Sequence, residues 1–297
     1  MAEAIGGEIV GCDALQIYDG LDAATGKPSE DERRRVPHAL VGTVDPRHDY
    51  SLAEYVRDAD AAIAAIAARG QVPIVVGGTG LYLRGLLKGV VPAPGRDEVL
   101  RERLRRLLDR FGAGRLHRAL AARDPDSAGR IRPADTQRLL RALELASAGP
   151  SWGDRLATGG TWSRPEERYD ALKIGLTLDR DLLAARLAAR VDTFLDAGLG
   201  EEVEHLLGGG VPSSANAFKA IGYREALRAR ARGADPHEER DAIVLATRRY
   251  AKRQRTWFRR EPGVVWKDAS GDSGALVAEI VALWRRFRAG RGADAAC

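Results

Sequence analysis

A chain of 297 residues with 44% hydrophobic and 30% charged side chains is an ordinary globular composition, long enough for one large domain or a core carrying an inserted subdomain. The nearest thing to an apolar span, the Ala-rich stretch Ala59–Ala68, includes Asp60, is flanked by Arg57, Asp58 and Arg69 and is too short for a bilayer span, and two cysteines, Cys12 and Cys297, exclude a disulfide scaffold. Lys and Arg number 47 against 42 Asp and Glu, a net charge of +5 that suits an anionic partner.

In chain order, Met1-Ala2-Glu3 has neither the basic nor the apolar region of a secretory leader, so a cytoplasmic chain with no membrane partner is expected. Glu8–Cys12 predicts a short buried strand ending at Asp13. Ser51–Arg69 predicts a helix, with Ser51 as N-cap, Glu54 three residues on and Gly70 behind its end. Val72–Val76 predicts a second buried strand, running into Gly77-Gly78-Thr79-Gly80 and a helix from Leu81. This grammar is that of a parallel α/β sheet, where ligands bind beyond the carboxyl ends of the strands, and Asp13 and Thr79 both fall at such ends. After Pro92-Ala93-Pro94-Gly95 the texture turns helical: Arg96–Arg110 is dense in Arg and Glu with Leu at helical spacing, and Gln137–Ala146 continues the pattern. Residues 149–165 are a Gly/Trp/Ser/Pro loop. The expected organisation is an α/β core over 1–95 and 166–297, interrupted by a helical subdomain at 96–165. Leu172–Leu178 predicts another strand and Asp181–Gly198 a helix. Beyond Asn216 the chain reads as mostly helical, and its last helix, Gly274–Arg288, puts Val277, Val281 and Trp284 on one face.

Three patterns carry no chemistry. Gly271-Asp272-Ser273-Gly274 matches the nucleophile segment of trypsin-like proteases, but before a helix in a cysteine-poor chain Asp and Ser make a turn and a cap. His38, His48, His117, His205 and His237 show no i,i+4 pairing, so zinc has no support. Thr25-Gly26-Lys27-Pro28 is not a phosphate loop: Pro28 stands where a hydroxyl would hold magnesium, and no Gly lies five residues before Gly26.

Other segments are richer. Asp13-Ala14-Leu15-Gln16-Ile17-Tyr18 places a carboxylate at a strand end, where alone it also reads as a turn aspartate. Gly77-Gly78-Thr79-Gly80-Leu81-Tyr82 feeds a helix N-terminus, a natural anion site or merely a tight turn. Arg248–Arg260 holds seven cations in thirteen residues with no acid, together with Tyr250, Trp257 and Phe258. It suits a phosphate backbone, or a solvated helix face with its aromatics in the core. Gln137–Glu144, Phe218–Glu225 and Arg249–Phe258 could each be a solvated helical face as well.

Taken in order and at their spacing, these segments resemble the tRNA dimethylallyltransferase, or tRNA isopentenyltransferase, family. The resemblance takes in Asp22–Pro28, Val36-Pro37-His38, Asp45-Pro46 and Asp49–Tyr55, and runs from residue 8 to residue 267 except across 147–170. It implies transfer of a dimethylallyl group from dimethylallyl diphosphate to the N6 amine of the adenosine adjacent to the tRNA anticodon. It also implies a P-loop-NTPase-like parallel sheet with an inserted helical subdomain that grips the anticodon stem-loop. Magnesium is the implied cofactor, and a monomer is expected. By the same resemblance Asp13 is the general base, and Asp13, Ala14, Leu15 and Gln16 contact the adenosine. Thr79 lies beside the reacting amine. Arg101 and Gln137, Arg138, Leu139, Leu140 and Arg141 contact tRNA, and Arg190 faces the diphosphate.

The implied chemistry is coherent. An exocyclic aromatic amine is a poor nucleophile, and a carboxylate that takes its proton as the C–N bond forms contributes roughly 10²–10⁴-fold. The leaving diphosphate needs cations and N–H donors aimed at its developing charge, and the adenine must be turned out of its stack. One departure stands out. Members of the family open with a strand and a Gly-x-x-x-x-Gly-Lys-Ser/Thr loop that holds the diphosphate and magnesium, and no such loop occurs in these 297 residues. Met1–Gly7 looks like the tail of the helix that follows that loop. The expectation is a core without its first strand and phosphate loop, through a misassigned start or a truncated copy, with impaired activity. A non-catalytic tRNA-binding remnant and a small P-loop-fold kinase are the alternatives, and the missing loop weighs equally against the kinase.

Overall fold

In the computed structural model, residues 1–90, 94–95, 97–147 and 166–294 are described. Pro92, Ala93, Arg96, the 149–165 loop and Cys297 lie outside them. The chain divides into two compact units, residues 1–86 with 169–297, and residues 87–168.

The first unit opens with one helical turn, α1 (Ala2–Ile5), ended by Gly6 in the left-handed region at φ 63°. Then come β1 (Gly7–Gly11), α2 (Glu30–Arg35), β2 (His38–Ala39), α3 (Leu52–Ala68), β3 (Val72–Val76) and α4 (Gly80–Lys88). β1 lies between β2 and β3 in an all-parallel sheet, with Ile9 opposite His38 and Ile74. α3 begins where the sequence places it. Glu54 N–H donates to Ser51 Oγ at 3.2 Å, and Ser51 N–H donates to the Glu54 carboxylate at 2.8 Å, so two orphan donors are satisfied at once. Its Tyr55, Val56, Ala59 and Ile66 are buried, and the helix packs on β1 and β3. β3 has the expected span but is only half-buried, and Val76 at its end is 50% exposed.

The second unit holds α5 (Glu98–Arg123), α6 (Pro125–Arg130) and α7 (Thr136–Ser147). α5 is longer than its sequence pattern suggested, and it breaks at Gly112, where φ is 75° and ψ 162°. The core of this unit is Leu104, Leu116, Leu120, Ala128, Leu139, Ala142 and Leu143. Leu139 is wholly buried there. Leu139→Ala in the whole chain is therefore expected to cost about 2–5 kcal/mol in urea unfolding, the usual range for a buried Leu that leaves a cavity.

The first unit resumes with β4 (Lys173–Thr177), α8 (Arg180–Asp196), α9 (Leu199–Gly208), α10 (Tyr223–Ala231), α11 (Arg240–Phe258), β5 (Val264–Asp268) and α12 (Ser273–Asp294). β5 corrects the helical reading of this stretch: Val264-Val265-Trp266 forms a strand parallel to β4, with Gly175 opposite Trp266. Asp272 caps α12, its carboxylate accepting N–H bonds from Gly274 at 3.2 Å and Ala275 at 2.9 Å, as the turn-and-cap reading expects. The strands form two parallel sheets, β2-β1-β3 and β4-β5, where one sheet was expected. Among the described residues, the outer edges of β3 and β4 pair with no further strand.

Candidate active site

The carboxyl ends of β1 and β3 are laced together by backbone. Cys12 N–H donates to Val76 O at 2.7 Å, and Thr79 N–H returns to Cys12 O at 3.2 Å. Ala14 N–H then donates to Thr79 Oγ1 at 3.0 Å. Asp13 lies inside this crossing. Its Oδ1 accepts N–H bonds from Leu15 at 2.9 Å and Gln16 at 3.2 Å, an Asx turn that fixes the carboxylate's orientation. Its Oδ2 has no hydrogen bond among the described residues. The two strand ends can approach this closely because residue 77 is Gly: a Cβ there would stand 2.2 Å from Cys12 O and 2.4 Å from its carbonyl carbon. Cys12 itself is no nucleophile, since burial pushes its thiol up to about 12.

Gln16 reaches a second loop. Its Nε2 donates to Thr25 O at 3.1 Å and Gly26 O at 2.9 Å. Gly26 has φ 68°, and the Arg190 guanidinium of α8 fills the space its side chain would need, with Nη2 1.9 Å from a Cβ built there. Arg190 is exposed and has no carboxylate partner among the described residues. Nearby, Lys27 is ion-paired with Asp22 at 2.7 Å, its side chain only 4% exposed. The Phe218–Glu225 segment props this loop from beneath. Asp22 and Ala23 donate their N–H groups to Glu202 at 3.0 and 2.9 Å, and the wholly buried Tyr223 donates its hydroxyl to Glu202. Glu225 accepts Gly222 N–H at 2.9 Å, closing the first turn of α10.

The Gly77–Gly80 loop is clamped by residues that the sequence places only within the basic Arg248–Arg260 segment. Tyr250, Gln254 and Trp257 of α11, at i, i+4 and i+7, form one stripe along it. Gln254 Nε2 donates to Gly78 O at 3.0 Å, and a Cβ on Gly80 would stand 2.4 Å from Trp257 Cδ2. Arg84 lies 4.4 Å over the Trp257 ring and pairs with the buried Glu261 at 3.1 Å. Burial, then the nearby Asp13 carboxylate, push the Tyr250 phenol up, with Thr79 and Gln254 as its polar neighbours. Behind the loop, Tyr82 of α4 stacks on Tyr55 of α3 at 4.1 Å and 13°. Further along α11, Arg248, Arg249, Lys252, Arg253 and Arg255, with Arg259 and Arg260 just beyond, are all exposed and have no carboxylate partner among the described residues, whereas Arg240 at its start pairs with Asp192. Spacing was the available signal: 250, 254 and 257 share a face that the cations leave clear.

In the second unit the expected tRNA contacts divide. Gln137 and Arg138 are exposed at the start of α7, and Arg138 pairs with Asp135 at 3.5 Å. Arg101 and Arg141 are tied to the buried Glu144, at 3.5 and 3.0 Å. Leu140 packs partly against the core. The Leu139 side chain lies wholly inside the core, so the contact expected of it does not come from that side chain.

Asp13, Ala14, Leu15, Gln16 and Thr79 are thus brought together, and Gln16 and Arg190 share the Thr25–Gly26 turn. Among the described residues no three His, Cys, Asp or Glu side chains converge on a metal position, and no helix is long and apolar enough to cross a membrane.

The family model described as IPP transferase matches residues 16–261. The chain is 41% identical over 291 residues to a tRNA dimethylallyltransferase of Geobacter metallireducens, covering 96% of this chain and 91% of that protein. It is 45% identical over 284 residues to the one from Anaeromyxobacter dehalogenans, covering 94% and 92%. Among solved structures it resembles a tRNA delta(2)-isopentenylpyrophosphate transferase of Staphylococcus epidermidis, with TM-score 0.67, 31% identity and coverage of 96% and 92%. It also resembles a eukaryotic dimethylallyltransferase acting on tRNA, with TM-score 0.74, 25% identity and coverage of 91% and 69%.

Proposed function

Because this chain belongs to the IPP transferase family, we propose that it transfers a dimethylallyl group from dimethylallyl diphosphate to the N6 amine of the adenosine adjacent to the tRNA anticodon. It is a tRNA dimethylallyltransferase. The observation that carries the mechanism is the Asp13 carboxylate, oriented by two N–H bonds through Oδ1, with Oδ2 left without a hydrogen bond among the described residues and the Thr79 hydroxyl held on the next residue's N–H. The amine nitrogen bonds to C1 of the dimethylallyl group as the C1–O bond breaks. The diphosphate leaves with that electron pair, and the amine's proton passes to Asp13 Oδ2. Ala14, Leu15 and Gln16 frame the adenine, Thr79 positions the amine, and Arg190 offers its unpaired charge to the diphosphate. Arg101, Gln137, Arg138, Leu140 and Arg141 belong to the unit that holds the anticodon stem-loop. The chain works as a cytoplasmic monomer.

Full donor affinity, on this reading, needs a strand and a phosphate loop that are not among these residues. The outer edges of β3 and β4, which meet no further strand among the described residues, support this, as do Val76 and Leu176, 50% and 57% exposed on those strands. Among the described residues no three carboxylate, His or Cys side chains converge to cage a magnesium ion, which suits an ion carried largely on the donor's phosphates, and no step above passes through it.

The test is incubation of the chain with labelled dimethylallyl diphosphate and unmodified tRNA. Label in N6-(dimethylallyl)adenosine is the expected result, at a rate that rises when a strand and phosphate loop are supplied. Label in no nucleoside, even in the extended chain, would leave a tRNA-binding protein without catalysis. The α11 cations add an independent expectation: tRNA affinity falls steeply with salt, and Arg253→Gln shallows the log–log slope by about 1.

A further inference from the structure

The second unit carries a surface that the reaction does not use. α5 reverses at Gly112, and contacts at its two ends show how. Asp97, just before α5, donates its N–H to Glu144 Oε1 at 2.7 Å, and Arg123, its last residue, donates to Ser147 Oγ at 3.4 Å. Both ends of α5 therefore meet the last turns of α7. The stretch from Glu98 to Phe111 advances roughly 20 Å from that point at 1.5 Å per residue. This carries the tip of the hairpin toward the opposite end of α7, where Gln137 and Arg138 are exposed. His117, on the returning arm, agrees: its Nε2 lies 2.8 Å from Ile131 O, shortly before α7 begins.

At the tip, Phe111 is 42% exposed, and the guanidinium carbons of Arg110 and Arg115 lie over its ring, 5.1 and 5.0 Å from the centroid, so that guanidinium planes and ring make one layered surface. Neither arginine has a carboxylate partner among the described residues. A Cβ on Gly112 or Gly114 would meet nothing within 4 Å, so the turn beside the ring is uncrowded. An apolar protein partner would call for apolar neighbours around the ring. Here the neighbours are two unpaired cations and two glycines, which match a chain that offers π-faces and negative charge together.

We propose that Arg110, Phe111 and Arg115 form a stacking platform for an unpaired base of the bound tRNA, with the two guanidiniums meeting the phosphates that flank it. The platform rests on the tRNA-modifying reading above. It lies beyond the contacts which that reading assigns to Arg101 and Gln137–Arg141.

The test is titration of tRNA with the wild-type chain, Phe111→Ala, Phe111→Trp and Arg115→Gln at several salt concentrations, with thermal melting to show that each variant is folded. Phe111→Ala weakens binding by roughly 5- to 150-fold with an unchanged salt slope, as loss of one stacked base does. Phe111→Trp keeps wild-type affinity, and Arg115→Gln lowers the slope by about 1. Wild-type affinity in Phe111→Ala, or equal weakening in Phe111→Trp, overturns the platform. If the wild-type chain binds no tRNA, the tRNA reading itself fails.

Discussion

Asp13→Asn should lower single-turnover transfer by roughly 10²-fold or more while tRNA affinity stays within a few-fold of wild type. The amide keeps the shape, and its oxygen can still accept the Leu15 and Gln16 N–H bonds that set the turn. What it loses is the acceptor for the amine's proton. Chemistry and binding therefore separate in this variant, and rapid-quench measurement with saturating tRNA reads the chemistry alone. Near-normal turnover would remove Asp13 from the role of base. A parallel loss of tRNA affinity would mean that the turn, rather than proton transfer, was damaged.

Gly77→Ala should be the most damaging single methyl group in the first unit. Its Cβ would meet Cys12 O at 2.2 Å and the Cys12 carbonyl carbon at 2.4 Å, and both are backbone atoms that no rotamer change can move. The cost should reach at least about 3 kcal/mol, the upper range for overpacking, because the ends of β1 and β3 must part. Their parting also pulls Thr79 from Ala14, so turnover should fall with stability. Gly129→Ala is the control, since a Cβ there meets nothing within 4 Å of a helical position. Thermal melts of the two variants beside wild type decide the point: equal midpoints would show that the crossing is looser than its distances imply.

The parts of the structure legible in the sequence are those written in local chemistry. α3 announces itself because Ser51, Glu54 and Gly70 act within a few residues of each other, and β3 ends where Gly77 and Gly78 stop it. Asp13 and Thr79 were legible as strand-end residues. β5 was not, because three apolar residues between two long helices carry no period of their own, and pairing with β4 alone makes them a strand. The reversal of α5 was equally hidden: a single Gly inside a helical pattern is tolerated, and only the positive φ at Gly112 separates a bend from a hairpin. Tyr250, Gln254 and Trp257 sit in the stretch of α11 densest in cations, and that charge masks the stripe they lay against the glycine loop. Leu139 shows the converse. It stands within a segment that the family resemblance assigns to tRNA contact, yet helical geometry turns it inward while Gln137 and Arg138 face out.

The outer edges of β3 and β4, without a further strand among the described residues, bear on how the chain behaves in bulk. Such an edge presents backbone N–H and C=O groups that no ladder takes up, with half-exposed Val76 and Leu176 on those strands. An open edge of this kind is a template on which a strand from another molecule can add, and the apolar side chains reward the addition. Solubility should therefore be limited by concentration rather than by net charge. A segment that paired with these edges would act as an internal chaperone, suppressing aggregation even where it contributed nothing to catalysis.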